Sequence, residues 1–190
     1  MTIEEVKRTF QVLDLRERLI VKLAVIAGMR PGEIFALRRG RVSESHADIR
    51  ERVYRGNLDI PKTVKSIRKA AVSVGLWEDL RQWLEMSPET GPDGWLFPSE
   101  KITTPISKDN VWRRRIQPRL KMLGLEWVNF QVMRRTHSTL MRGLNVDPKL
   151  VADQQGHTLD VNMNVYTEMP ISLKKDAVDG LDSAISSSVH

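Results

Sequence analysis

Apolar residues recur every three to four positions along most of the chain, which is the spacing of an amphipathic helix. The first such stretch covers residues 3–13, and Asp14 can cap a second helix whose run LIVKLAVIAGM is apolar on most sides. Pro31 suits the first turn of a third helix, PGEIFALR, at 31–38. Further helices are predicted at 76–86, 107–122, 131–144, 147–155, 160–167 and 171–185.

The helical period is lost between about residues 41 and 73. Two segments there, 47–54 and 67–74, contain β-branched and alternating residues and are separated by a polar stretch. This pattern predicts short antiparallel strands. The expected fold class is therefore mainly α with a small antiparallel β-sheet (α+β).

No internal repeat, low-complexity tract or linker divides the sequence, so we expect one domain over 1–190. Residues 1–170 form its expected core. Residues 171–190 form a predicted C-terminal helix and tail, whose apolar positions at helical spacing must be buried on this domain or on a neighbouring subunit.

The composition favours a nucleic-acid partner and gives no sign of a membrane. Lys and Arg number 30 against 24 Asp and Glu, a formal net charge of +6, which favours a polyanion, although a solvated basic surface would give the same balance. No apolar run of about 18 residues and no secretory signal is visible, and we expect a cytoplasmic protein. The chain has no cysteine, which excludes disulfides and thiolate chemistry.

Two charged motifs occur in the first third of the chain. In AGMRPGEI (27–34), Arg30 precedes a predicted helix and Glu33 lies three residues later, so the two side chains can meet on one face. A surface arginine and a glutamate that complements the helix dipole would give the same sequence. In IPKTVKSIR (60–68), Lys62 lies on the apparent hairpin, where its ammonium could reach a phosphate or simply be solvated.

Two further motifs lie towards the end. In QVMRRTHS (131–138), Gln131 and Arg134 are three residues apart, and a guanidinium can hold two phosphate oxygens at once. In the last motif, Tyr166 follows His157 by nine residues. On one continuous helix, at about 100° per residue, these two side chains would lie on opposite faces. They can cooperate only if the helix breaks between them, and a buried tyrosine is normally part of a core, with its hydroxyl hydrogen-bonded.

In this order and at these spacings, the four motifs resemble the catalytic set of the tyrosine recombinase, or phage integrase, family. The phrases AGMRPGEI, KTVKSIR, MRRTHSTLM and GH, with a tyrosine nine residues later, are similar to the family's own. The resemblance covers roughly residues 20–170. It implies a mostly helical catalytic domain with a small sheet, and an N-terminal core-binding domain that we expect to be absent from this chain.

The resemblance also implies catalytic roles. Tyr166 would attack a DNA phosphodiester and form a 3′-phosphotyrosine. Arg30 and Arg134 would bind the non-bridging oxygens of the phosphate. Lys62 would protonate the departing 5′-oxygen, and His157 would accept a proton or contact the phosphate.

Three more positions complete the comparison with the family. Glu33 is expected to orient Arg30. Gln131 stands where the family usually has the histidine of His-x-x-Arg; glutamine can donate a hydrogen bond to a phosphate but cannot transfer a proton, which puts an acid–base role there in doubt. At Gln155 the family often has leucine, and we expect a packing change only.

The implied reaction needs neither a cofactor nor a metal, because the arginines supply the positive charge. The implied partner is double-stranded DNA, on which the full-length protein would form a tetramer, whereas the isolated domain is expected to be a monomer. The implied function is site-specific recombination, acting at the nucleoid, for the integration or excision of a mobile element. Two alternatives stay open: a type IB topoisomerase-like nicking-closing enzyme, and a DNA-binding protein whose catalysis has decayed.

Overall fold

The computed structural model describes residues 1–59 and 66–157. The helices are α1 Ile3–Val12, α2 Leu15–Val25, α3 Pro31–Ile34, α4 Val74–Met86, α5 Lys108–Val111, α6 Gln117–Met122, α7 Phe130–Gly143 and α8 Pro148–Gln155. The strands are β1 His46–Ile49, β2 Arg52–Tyr54, β3 Asn57–Asp59 and β4 Arg68–Ala71. The fold class predicted from the sequence, mainly α with a small antiparallel component, is confirmed.

Helix α2 lies at the centre of the core. It packs against α1, α4 and α7, and Leu19, Ile20 and Leu23 are fully buried. This is the arrangement that its apolar run predicts, since a helix that is apolar on most sides needs neighbours on most sides. Burial of this one helix therefore fixes where α7, which carries Arg134, lies relative to the chain that follows α2.

The strands are more numerous than the sequence predicts, and the predicted pair of strands is wrong in detail. β1 pairs with β4, and β2 pairs with β3, in two separate two-stranded antiparallel sheets. The segment predicted as one strand at 47–54 is interrupted after Ile49, and β2 turns back into β3 through Arg55 and Gly56. Both of these residues have positive φ, as a two-residue type I′ hairpin loop requires.

Helix α3 is also shorter than predicted, since it ends at Ile34 rather than at 38. The chain continues through tighter turns, in which Ala36 N donates to Glu33 O and Leu37 N donates to Ile34 O. It then pairs with residues 95–96, where Leu96 N donates to Leu37 O. Pairing with this second segment replaces the helical hydrogen bonds that the periodicity of 31–38 predicted.

The helix predicted at 107–122 is confirmed, with an internal π turn at Trp112–Ile116 between α5 and α6. Pro118 has no N–H to donate to the carbonyl four residues earlier, which accounts for the change of hydrogen-bonding pattern there. Helices α4, α7 and α8 match the predictions within two residues at each end. The helices predicted at 160–167 and 171–185 lie outside the described residues.

None of the helices in the described ranges has the length and apolar composition that a membrane span requires.

The β2–β3 loop yields a stability prediction. Arg55 is exposed and has a φ of 50°, a region that asparagine adopts more readily than arginine. We expect Arg55→Asn to raise the free energy of unfolding by roughly 0.5–1 kcal/mol, measured by urea denaturation. Arg50→Asn, an exposed arginine without positive φ, should give no gain; an equal gain there would contradict the explanation.

Candidate active site

Arg30 and Glu33 meet at the start of α3, as their spacing predicts. Arg30 Nη1 donates to Glu33 Oε1 at 2.8 Å, and the Arg30 backbone N donates to Glu33 Oε2 at 2.8 Å. Pro31 occupies the first turn of the helix, where its missing N–H is not needed. The Glu33 side chain is only 3% exposed, whereas that of Arg30 is 37% exposed. Glu33 therefore anchors Arg30 from below while the guanidinium reaches the surface.

Arg68, at the start of β4, is a site residue that the sequence reasoning missed. Its Nη1 and Nη2 donate to Glu33 Oε1 and Oε2, each at 3.0 Å, and its Nε donates to Gln154 O at 2.8 Å. The KTVKSIR motif contains this arginine, and its alternation with buried Ala70 places both on one face of the strand. An arginine on the buried face of a strand needs a charged partner, which is the signal that could have found it.

Arg134 projects from α7 towards the chain that follows α2. It is 8% exposed; its Nη1 donates to Gly28 O, and its Nη2 donates to Gln155 O at 2.5 Å. The same Nη2 lies 2.7 Å from His157 Nε2. These contacts bring together three segments that are distant in sequence and carry Arg30, Arg134 and His157.

Gly28 allows the close approach that these contacts require. Its φ is +65°, and a Cβ built there would lie 2.8 Å from His137 Cδ2 and 3.0 Å from Gln155 Cγ. Any side chain would therefore strain the backbone and collide with α7 or α8. The carbonyl of this glycine is the one that accepts from Arg134.

Gln155 does more than fill space, so the expectation of a packing change only is wrong. Its fully buried side chain joins α8 to α7: Ser138 Oγ donates to Gln155 Oε1 at 2.8 Å, and Gln155 Nε2 donates to Arg134 O at 2.9 Å. Leucine could make neither bond. These bonds fix the end of α8, where the Gln155 and Gly156 carbonyls accept from Arg30 at 3.4 and 3.2 Å.

Arg30, Arg68 and Arg134 form a cluster with Glu33 and His157, and their charges shift the pKa values of Glu33 and His157. Burial alone would raise the pKa of Glu33, but the hydrogen bonds and charge of Arg68, with the charges of Arg30 and Arg134, lower it below its usual value. Burial and the three arginine charges, against the opposing effect of Glu33, lower the pKa of His157 to about 4. His157 is therefore neutral at pH 7, and because Arg134 donates to its Nε2, its proton lies on Nδ1.

The remaining predicted site residues are placed differently. Gln131 lies on the first turn of α7, three residues before Arg134, but its side chain is exposed and makes no hydrogen bond to the described residues. Lys62 and Tyr166 lie outside the described residues. Across the described ranges, no group of three or more His, Asp or Glu residues is arranged to hold a metal ion.

The sequence matches the model of the phage integrase family over residues 1–170. The chain therefore belongs to this family of tyrosine recombinases. No curated protein matches the sequence.

Solved structures share the fold at low sequence identity. XerA recombinase superposes with a TM-score of 0.73 at 21% identity, covering 95% of this chain and 62% of XerA. The Tn1549 transposon integrase, in complex with circular intermediate DNA, gives 0.75 at 17% identity over 95% of this chain and 66% of that one. XerH recombinase, bound to difH substrate, gives 0.66 at 21% identity, and the chain spans only 53% of it.

The buried histidines predict a pH dependence of stability. Burial lowers the pKa of His137 below 6.5, as it does for His157. The unfolded chain therefore binds more protons than the folded one once the pH drops below about 6.5, and stability falls with pH. We expect the free energy of unfolding to decline from pH 6.5 to about 5.5, a window that stays above the usual pKa of 4.5 of Glu33.

Urea denaturation at several pH values, at constant ionic strength, measures this decline. His157→Gln should reduce the slope in that window, whereas His46→Gln, on β1 away from the site, should not. A wild-type stability that is flat between pH 6.5 and about 5.5 would show that these imidazoles are not held neutral by the fold.

Proposed function

We propose that this chain is the catalytic part of a site-specific DNA recombinase that cleaves and rejoins double-stranded DNA through a 3′-phosphotyrosyl intermediate on Tyr166. The observation that carries the proposal is the convergence of Arg30, Arg134 and His157 around the carbonyls at the end of α8. Membership of the family supports it, as do the DNA complexes of the Tn1549 integrase and XerH.

The charge of the cluster suits a phosphodiester. Three guanidinium groups, those of Arg30, Arg68 and Arg134, surround the single carboxylate of Glu33, which leaves a net charge of +2. Backbone carbonyls accept hydrogen bonds from both Arg30 and Arg134, and Glu33 is the one carboxylate among the described residues that offsets the three guanidinium charges. Such preorganised donors stabilise the negative charge that grows on the non-bridging oxygens during displacement at phosphorus.

The proposed reaction exchanges one phosphate ester for another. The Tyr166 oxygen attacks phosphorus and loses its proton to solvent. The bond from phosphorus to the 5′-oxygen breaks, and Lys62 gives that oxygen a proton. The products are a 3′-phosphotyrosine and a free 5′-hydroxyl. Because the ester bond is retained, the 5′-hydroxyl of a second DNA end can reverse the step without an external energy source.

The protonation state of His157 favours a role in contacting the phosphate over a role as proton acceptor. A pKa of about 4 makes its imidazole a weak base at neutral pH. Its Nδ1 is buried and has no hydrogen-bond partner among the described residues. An N–H in this position can donate to a phosphate oxygen, and binding would then satisfy a group that is otherwise costly to bury.

Gln131 is proposed as a neutral donor to the same phosphate. Its exposed position one turn before Arg134 leaves its amide available for DNA. Because a carboxamide is neither a general acid nor a general base near neutral pH, proton transfer would depend on Lys62 and the solvent rather than on position 131.

We further propose that recombination serves the integration or excision of a mobile element in the cytoplasm, at the nucleoid. Exchange between two duplexes needs four active sites, so the whole protein would act as a tetramer on DNA, while this domain alone would be a monomer. Residues 171–190 are proposed to dock on a neighbouring subunit. We also propose that residues 1–190 form a single catalytic domain. This domain would act on DNA together with a core-binding domain.

The nucleophile can be tested with a pool of nicked duplexes of randomised sequence, in which the cleaved strand loses the short fragment needed for religation. We expect the wild-type chain to form a covalent adduct that survives denaturing electrophoresis. Tyr166→Phe should abolish the adduct, because it removes the attacking oxygen, and should leave DNA retention in a gel-shift assay nearly unchanged.

Tyr54→Phe is the matched control, because Tyr54 is the other tyrosine of the chain and is half exposed on the β2–β3 hairpin. An adduct that persists in the Tyr166 variant would refute the assignment. Supercoil relaxation by wild type without strand exchange would identify a topoisomerase-like enzyme. Retention of DNA with no adduct in any variant would identify a binding protein.

Arg134 supplies the second test. Arg134→Lys keeps the charge but cannot serve Gly28 O, Gln155 O and His157 together with a phosphate. We expect adduct formation to slow by about 10²–10³-fold with a small change in DNA affinity. Arg135→Lys changes the adjacent, exposed arginine and should cleave normally; equal rates for the two variants would show that Arg134 has no catalytic role.

A further inference from the structure

We infer that Arg68 is a positioning residue of this site: by holding both carboxylate oxygens of Glu33, it keeps the outer donors of Arg30 available for a phosphate. The inference rests on the proposed function, because it takes a phosphate as the ligand of Arg30. Arg68 itself is too deep to touch DNA, since its side chain is only 7% exposed.

The Glu33 carboxylate accepts four hydrogen bonds, which Arg68 and Arg30 share. Oε1 accepts from Arg68 Nη1 at 3.0 Å and from Arg30 Nη1 at 2.8 Å. Oε2 accepts from Arg68 Nη2 at 3.0 Å and from the Arg30 backbone N at 2.8 Å. A carboxylate accepts about four hydrogen bonds, so Glu33 is saturated. The Arg30 side chain donates a single hydrogen bond to Glu33.

The remaining donors of Arg30 are therefore held loosely. Nη2 donates to Gly156 O at 3.2 Å, and Nε has no hydrogen bond to the described residues. If Arg68 released one carboxylate oxygen, Arg30 could form a two-bond pair with Glu33, the strongest geometry available to these groups. In that pair the Arg30 guanidinium would turn inward and its charge would be neutralised by Glu33. Arg30 would then bind a phosphate less tightly.

A second contact of Arg68 links this arrangement to the other half of the site. Its Nε donates to Gln154 O at 2.8 Å, one residue before the Gln155 carbonyl, which accepts from both Arg30 and Arg134. Arg68 thus fixes both the carboxylate below Arg30 and the end of α8 beside it. A purely structural ion pair would need neither this placement nor the sharing of Glu33.

The test uses the whole chain and a charge-conserving change. In Arg68→Lys the ammonium keeps the charge but cannot occupy both carboxylate oxygens in a fork. With inorganic phosphate as the probe, followed by the NMR signals of the His157 ring and the Arg30 Nε–H, we expect affinity to fall roughly tenfold. Urea denaturation of the same samples confirms that the variant is folded.

Glu33→Gln distinguishes capture from general damage. A neutral amide cannot capture Arg30, so R68K/E33Q should recover most of the lost phosphate affinity. E33Q alone measures how much phosphate affinity rises when one negative charge is removed. The same substitution should raise phosphate affinity clearly more in the R68K background than in wild type. Lys69→Met is the matched control: it removes a positive charge beside Arg68, in the groove that His157 lines, without a contact to Glu33. It should cost less affinity than R68K, which removes no charge.

Each outcome decides the question. The inference is overturned if R68K binds phosphate as wild type does, if E33Q gives the same gain in both backgrounds, or if wild type shows no phosphate response at His157 and Arg30. The proposed function has its own readout in the nicked-duplex pool. If wild type forms no adduct there while the phosphate affinities follow the expected pattern, the recombinase proposal fails and the role of Arg68 stands.

Discussion

The buried carboxylate of Glu33 is the interaction on which the rest of the site depends. It lies on the side of α3 that faces the core, where an ionised carboxylate without partners would be costly. Loss of one partner of such a buried pair typically destabilises a protein by roughly 3–5 kcal/mol. Two arginines and a backbone N–H satisfy it. Because Arg30 precedes α3 and Arg68 begins β4, this carboxylate also fixes the helix against the small sheet.

A second constraint is that the guanidinium groups meet neutral acceptors at the end of α8. The carbonyls of Gln155 and Gly156, with that of Gly28 in the turn after α2, accept hydrogen bonds from Arg30 and Arg134, and only Glu33 among these contacts offsets positive charge. Gly28 must lack a side chain for α7 and α8 to come this close, and the Gln155 side chain locks the two helices together. The outcome is a concentrated positive charge supported from within the protein rather than by solvent.

The sequence predicted the class of fold and the contact between Arg30 and Glu33, because both depend on local signals. Helical periodicity located α2, α4, α7 and α8, and the three-residue spacing of Arg30 and Glu33 predicted their contact. Hydrogen bonds between distant segments have no such signal. The pairing of β1 with β4 and the end of α3 depend on partners that periodicity does not reveal.

The same limit explains the two site residues that sequence reasoning misjudged. Arg68 stands in a recognisable motif, yet its role depends on Glu33, 35 residues away in sequence. Gln155 resembles a packing substitution until the hydroxyl of Ser138 and the carbonyl of Arg134 are placed beside it. Lys62 and Tyr166 remain predictions from the family resemblance, since both lie outside the described residues.

In the proposed DNA complex, Arg30 and Arg134 hold one phosphate while Arg68 keeps Glu33 occupied. A crystal structure of the chain bound to a duplex recovered from the trapped pool would test it most directly. We expect both guanidinium groups on the non-bridging oxygens of the same phosphate, His157 Nδ1 within hydrogen-bond distance of it, and the Arg68–Glu33 pair unchanged. Two arginines on different phosphates, or Arg30 turned inward in a two-bond pair with Glu33, would contradict it.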